Sequence, residues 1–329
     1  MSALKWTRKT TEKIALELNQ LGIQVSPNTV GKLLNEMGFS LRVNHKKNSV
    51  SSVSPKVRDE QFDYIAAKRE NFTSRGAMII SVDTKKKELV GCFKNNGQAW
   101  SDRAVLVNDH DFRSQAEGMA IPYGIYDLQA NRGTVFVGTS RDTPWFATDC
   151  LARWYELEGQ KRYPDTTELL ILADGGGSNR TGSYVWKYGL QTKLCNRFGI
   201  SITVCHYPPG ASKWNPIEHR LFSEISKNWA GRPLESYETI LNYIRTTTTK
   251  TGLEVTAYLN EQFYEKGMKI SNEQLEKLVI AQHDVQPKRN YTLDPIKPPI
   301  FEVGEVSFQR TSEQNGNLLT AQNPEVIFA

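Results

Sequence analysis

The segments ELLILAD (168–174), SYVWKYGLQTKLCNRFG (183–199), ISITVCHY (200–207) and PIEHRLFSEISKNW (216–229) follow one another along a single stretch of chain. The first and third are short apolar runs of strand length. The second and fourth place their apolar residues at helical spacing, so the stretch reads strand, helix, strand, helix. Upstream, GAMIISVD (76–83) is a strongly apolar strand, KKK a polar turn, and ELVGCF (88–93) its expected antiparallel partner. RGTVFVGT (132–139) gives a third strand after a turn at Asn131, Arg132 and Gly133, and PWFATDCLARWYELEG (144–159) gives a helix. Residues 94–128 fit this alternation poorly and read as an elaborated connection with an extra strand near PYGIYDL (122–128).

Three strands followed by helix, strand, helix, strand and helix is an α/β succession. It is the order of a ribonuclease-H-like (retroviral integrase) mixed sheet with helices on both faces. A small helical domain is expected in front of it. TTEKIALELNQLG (10–22) opens on a capping threonine, spaces Ile14, Ala15, Leu18 and Leu21 along one face, and stops at Gly22. Ser26 caps and Pro27 begins a second helix, PNTVGKLLNEMG (27–38), with Val30, Leu33, Leu34 and Met37 expected inward. FSLRVNHKK (39–47) then has the look of a β wing. Such a pair is either a winged helix-turn-helix or a helical hairpin that only packs. In the first case Asn28, Thr29 and Lys32 face the major groove, and Arg42, Lys46 and Lys47 join them as DNA contacts.

Charge separates those two readings. The 329-residue chain carries a formal net charge of +5, but residues 1–75 hold 13 Lys and Arg against 7 Asp and Glu, whereas the remainder is balanced. A basic front end suits a polyanionic partner, because neutralising phosphates releases condensed counterions. No apolar run approaches the roughly 18 residues of a membrane span, and the first residues lack the apolar middle of a secretory signal. A membrane partner is therefore not expected, and the cytoplasm is the expected compartment. Cys92, Cys150, Cys195 and Cys205 form no C-x-x-C pair, which argues against a zinc ribbon and a disulfide framework and suggests buried thiols.

Three carboxylates stand where this fold would gather them. Asp83 ends the first strand, Asp174 the fourth, and Glu218 opens the helix after the fifth. Adjacent strand ends and a nearby helix start can aim them at one point, where their mutual repulsion calls for cations. Each also has a local alternative. Asp83 could cap the following turn, Asp174 could be a turn residue before three glycines, and Asn215, Pro216 and Glu218 make a passable capping box. Asp127 is the substitute should the strand order differ. Asp102, Asp109, Asp111 and Glu224 are further acids, His206 and His219 flank the site, and Lys85, Lys86 and Lys87 either neutralise phosphates or form a solvated hairpin tip.

The motifs SVDTKKKELVGCFKNNG (81–97), VNDHDF (107–112), ILADGGGSN (171–179) and HYPPGASKWNPIEHRLFSEI (206–225) together resemble the DDE transposases of bacterial insertion sequences, most closely the Rhodopirellula-type group. The resemblance runs from the helix-turn-helix to about residue 250. It implies a metal-dependent transposase that cuts transposon ends and joins them to target DNA, with Asp83, Asp174 and Glu218 as catalytic and metal-binding residues. Two Mg2+ or Mn2+ ions are implied as cofactors. Double-stranded DNA, both transposon end and target, is implied as partner, together with a homo-oligomer associated with the bacterial nucleoid. A DNA-binding protein without catalysis and a simple nuclease of the same fold are the competing functions. The expected domains are a helix-turn-helix at 1–45, a linker and connecting helix at 46–74, a catalytic domain at 75–250, and C-terminal helices with an extended tail at 251–329.

Overall fold

A computed structural model of the protein describes residues 9–41 and 54–296, which divide into two compact units at Ser51 and Ser52. In the first unit, α1 (Thr11–Gln20) and α2 (Pro27–Glu36) form with the caps their sequence carries. The hydroxyls of Thr10 and Ser26 accept from the backbone N–H groups of Lys13 and Thr29. Two ten-residue helices cannot bury two full apolar faces, and each buries one side chain, Ala15 and Val30. The expectation that Leu33 and Met37 face inward is corrected, since they are 46% and 69% exposed. Residues from Arg42 through Val53, including the wing's Lys46 and Lys47, lie outside the described residues.

In the second unit, α3 (Pro55–Ser74) comes first. The strands are β1 (Met78–Thr84), β2 (Glu88–Val90), β3 (Gly118–Asp127), β4 (Arg132–Gly138), β5 (Glu168–Ala173), β6 (Ser201–His206), β7 (Glu254–Asn260), β8 (Ile280–Gln282) and β9 (Asn290–Leu293). Among the described residues they form one mixed sheet in the order β7-β4-β3-β1-β5-β6-β9-β8, with β2 attached to β3. β1, β3 and β4 make an antiparallel meander, and β5 and β6 continue parallel to β1. That order is the ribonuclease-H-like arrangement.

The period-two alternation of β1 and β5 assigns the two faces of the sheet. Met78, Ile80 and Val82, with Leu169, Ile171 and Ala173, face one core. There they meet α4 (Pro144–Trp154, prolonged by a π turn at Tyr155–Gly159) and α5 (Tyr184–Leu190, prolonged by a π turn at Gln191–Cys195), which contribute Phe146, Trp154 and Trp186. Ile79, Leu170 and Leu172 face the other side under α3. On that same side, over β3, β4 and β7, lie α6 (a π turn at Glu218–Phe222 followed by Ser223–Asn228) and α7 (Tyr237–Arg245).

Several expectations are corrected. β2 does not pair with β1: it lies against the Gly118–Ala120 end of β3, because β1 already has β3 and β5 on its two edges. The extra strand near PYGIYDL is the ten-residue β3, the true antiparallel neighbour of β1. Beyond residue 250, the described chain adds strands to both sheet edges, with one short helix, α8 (Asn272–Glu276), between them. β9 lies between Pro287 and Pro295, where an extended tail was expected. The cysteines are free, but Cys92 is exposed and only the other three are buried.

Tyr291 of β9 is fully buried, and its hydroxyl accepts from the Trp186 indole at 3.1 Å. Replacing Tyr291 with Ala is expected to cost about 3–5 kcal/mol, the scale of emptying a large aromatic site. Denaturant unfolding measures it, and a loss below about 1 kcal/mol would mean that β9 is an ornament.

Candidate active site

The register places Val82 of β1 level with Ala173 of its parallel neighbour β5, so Asp83 and Asp174 follow side by side at the C-terminal ends of adjacent strands. By alternation both lie on the face of Ile79, Leu170 and Leu172, the face on which α6 also sits. Crevices outside such strand ends are where open α/β sheets bind ligands.

Glu218 reaches this place because α6 lies close on the sheet. A Cβ at Gly124, which pairs with Asp83, would stand 2.4 Å from the Phe222 ring and 2.9 Å from Ile217 Cδ1. One at Gly133 would stand 2.4 Å from Leu221 Cδ1. Only glycine permits that approach. The start of α6 is also pinned to β1 by buried polar groups. Ser81 Oγ donates to Asn215 Oδ1 at 2.5 Å and accepts from the Ile217 N–H at 3.0 Å, while Asn215 Nδ2 donates to the Val82 carbonyl at 3.2 Å. The capping box that was the local alternative for Glu218 does not form, since the Asn215 side chain is turned to β1, and the helix is capped across the fold by Ser81 of that strand. Glu218 opens a π turn, a local widening that often marks functional positions.

Asp83, Asp174 and Glu218, all half-buried, line one open cavity of about 540 Å³, together with Thr84, Asp142, Gly177, Ser212 and the three consecutive lysines. Burial pushes all three carboxyls up from their ordinary values. For Asp83 the charge of Asp174 is the next cause, followed by those of Glu218 and Asp142. The N–H of Thr84, 2.7 Å from Asp83 Oδ1, opposes them, and the result is about 8. The Gly176 N–H opposes the rise at Asp174, and Lys85 opposes it at Glu218. Among the described residues no three His, Cys, Asp or Glu side chains stand close enough together to enclose an ion. The donor set is nevertheless all carboxylate oxygen, destabilised by its own charge, which suits a hard divalent cation.

Asp142 is the acid that sequence reasoning missed. It accepts from Thr84 Oγ1 at 3.1 Å and pairs with Lys87 at 3.1 Å. It immediately precedes the α4 cap Thr143, a setting that reads as an ordinary helix start. Asp127 is no substitute ligand. It pairs with Ile80 toward the other end of β1, is buried, and is tied to Arg162 and Tyr163. Asp102, Asp109, Asp111 and Glu224 do not line the cavity.

Neither histidine is among the residues that line the cavity. His206 is fully buried behind it, its ring nitrogens 2.8 Å and 3.0 Å from the carbonyls of Asn179 and Arg289, and burial holds it down to about 4. His219 is exposed on another cleft with Arg220, Glu224 and Lys250, its ring against the Lys213 carbonyl. In the first unit Asn28, Thr29 and Lys32 are exposed along α2, with the Thr29 hydroxyl bonded to that of Ser26 at 2.8 Å.

A family model described as the Rhodopirellula transposase DDE domain matches residues 1–295. No curated protein matches the chain. Solved structures similar to it include the Mos1 transposase paired-end complex with left transposon end, at 14% identity and a TM-score of 0.42 over 72% of this chain and 65% of that one. The Mos1 mariner paired-end complex with Mn is similar at 15% identity and 0.43, again over 72% and 65%. The Mos1 strand transfer complex is similar at 13% and 0.43, over 74% and 71%. The chain spans 65% of the length of the first two.

Ser81→Ala should remove the acceptor of the Ile217 N–H and strand Asn215, costing about 1–3 kcal/mol. Urea unfolding reads this, and an unchanged midpoint would mean that the clamp carries no load. The raised Asp83 carboxyl gives a second expectation. Between its ordinary value of 3.8 and about 8, the folded protein holds a proton that the unfolded chain has lost. Stability in the absence of divalent cations therefore falls as pH rises through that window. Asp83→Asn should flatten this slope in thermal melts, and an equally steep slope in the variant would assign it to other groups.

Proposed function

The chain belongs to the Rhodopirellula transposase DDE domain family, and we propose that it acts as the transposase of an insertion sequence, cutting transposon ends and joining them to target DNA. The observation that carries this reading is the convergence of Asp83, Asp174 and Glu218, from two neighbouring strand ends and a helix start, on one open cavity. A protein that only bound DNA would gain nothing from burying three mutually repelling acids, each driven toward its neutral form.

Asp83 and Asp174 would hold Mg2+ or Mn2+ directly, and Glu218 would complete a second site. Such ions, when bound, polarise a phosphodiester and activate a water or 3′-hydroxyl for in-line attack. The chain's own residues present the oxygen donors and keep them in place. Ser81 and Asn215 hold the Glu218 helix against β1, and the Thr84 and Gly176 N–H groups orient Asp83 and Asp174. At Gly177 the cavity wall has open space where a side chain would otherwise stand. Residues 9–41 would recognise the transposon end through Asn28, Thr29 and Lys32, with Arg42, Lys46 and Lys47 as further contacts. Holding two ends together calls for a homo-oligomer, in the cytoplasm at the bacterial nucleoid.

The test is incubation with DNA carrying the element's own ends in Mg2+ or Mn2+. Cleaved ends and strand-transfer products are expected from the wild type. Asp83→Asn, Asp174→Asn and Glu218→Gln should each lower the rate by roughly 10²–10³-fold or more, the scale of losing one stabiliser of transition-state charge, while still binding end DNA. Nicking without joining would make the protein a nuclease, and binding without cutting would make it a catalytically silent DNA-binding protein.

A further inference from the structure

Three consecutive lysines follow Asp83, and their side chains have three different fates. Lys86 has a side chain 70% exposed and stands 3.5 Å from Glu88. Lys87 is committed to Asp142 at 3.1 Å. Lys85 is 8% exposed, yet it lines the same cavity as Asp83, Asp174 and Glu218. Its backbone N–H donates to the Pro122 carbonyl at 2.9 Å, which continues the β1–β3 pairing past Thr84 and fixes where the side chain starts. Its ammonium lies 4.6 Å from the centre of the Trp229 ring and 4.0 Å from Glu88 Oε1. Both contacts favour a cation without occupying its hydrogen-bond donors.

Among the described residues, then, the Lys85 ammonium makes no hydrogen bond with any of its three N–H donors. Among the described residues no fully buried side-chain nitrogen lacks a partner, so the Lys85 ammonium is not sealed from solvent and an acceptor entering from outside can reach its donors. Glu88 and Trp229 hold it in place, and the cavity is the direction left open. The acceptor it suits is an anionic oxygen that enters beside the carboxylates. Lysine binds phosphate as a compact point charge, without needing the forked geometry of arginine.

We propose that Lys85 is a catalytic residue that touches the substrate, its ammonium binding a non-bridging oxygen of the phosphodiester being cut. This rests on the transposase reading of the cavity and adds to it a group outside the acidic triad. The carboxylates attract cations but repel the DNA phosphate. A positive charge inside the same cavity offsets that repulsion, and it acts most strongly where negative charge builds on the phosphoryl oxygens during transfer.

The experiment measures single-turnover cleavage of end DNA in Mn2+ by the wild type, Lys85→Met, Lys85→Gln and Lys85→Arg, with DNA affinity and melting temperature measured alongside. The Met and Gln variants should cut about 10²-fold more slowly while binding DNA nearly as tightly, because affinity is spread over many phosphates. Arg should restore most of the rate. A second readout separates contact from scaffolding: sulfur replaces each non-bridging oxygen of the scissile phosphate in turn. Mn2+ accepts sulfur better than Mg2+ does, which suppresses any effect arising at the metal. The wild type should be slowed by one of the two sulfur substitutions, and Lys85→Met should lose that discrimination. A variant that melts early still reports through this comparison, because the two sulfur substrates are cut by the same protein. Equal rates in wild type and Lys85→Met, or undiminished discrimination in the variant, overturn the proposal alone. Wild-type protein that cuts no end DNA in either metal overturns the transposase reading and the proposal with it.

Discussion

The close seating of α6 on the sheet is the constraint on which the rest of this site depends. Glu218 arrives from a different part of the chain than the two aspartates, and it meets them only because Gly124 and Gly133 leave room for Phe222, Ile217 and Leu221. Hydrophobic contact alone would leave the helix free to slide by small amounts. The Ser81–Asn215–Ile217 hydrogen bonds remove that freedom, since all three residues are buried and any slide would leave their polar groups without partners. Ser81 lies two residues before Asp83 on the same face of β1, so one strand both anchors the helix and presents the first carboxylate.

That seating creates an electrostatic problem, and the surroundings soften it unevenly. Asp142 has Lys87, and Glu218 feels Lys85, but Asp83 has the Thr84 N–H against burial and three neighbouring acids. It therefore bears the largest share of the strain and leans most strongly toward its protonated form. A cation entering the cavity would relieve the group that needs it most.

What was legible in the sequence follows from how each segment is buried. β1, β5 and β6 are covered on both faces, so they read as continuous apolar runs, and the acids that follow β5 and end β1, Asp174 and Asp83, stood out against them. α1 and α2 announced themselves by their caps. β3 was blurred because GMAIPYGIYD contains Pro122 and two glycines, residues that ordinarily argue against a central strand. One of those glycines, Gly124, is what admits α6. β9 has only four residues between proline-rich flanks, too few for alternation to be seen, although Tyr291 and Leu293 are both fully buried. Asp142 was hidden because its role comes from Thr84 and Lys87, more than fifty residues away in the chain. The Ser81 clamp has no local pattern at all.

The edge strands added beyond residue 250 bear on the site from behind. Arg289, just before β9, donates to the Tyr207 carbonyl at 3.2 Å, and its guanidinium packs beside Gly175, the residue after Asp174. Gln61 of α3 bonds both the His206 carbonyl and the Asn290 side chain, joining α3, β6 and β9 in one buried polar knot. His206 extends that knot to Asn179, whose side chain in turn accepts from the Tyr123 hydroxyl of β3. The loop that carries Asp174 is thus held from β3, β6 and β9 at once. Its glycines leave the cavity side open while the opposite side is fixed by buried hydrogen bonds. A loop that must place a carboxylate within reach of Asp83, yet leave space for a substrate, needs both properties, and the C-terminal strands supply part of the second.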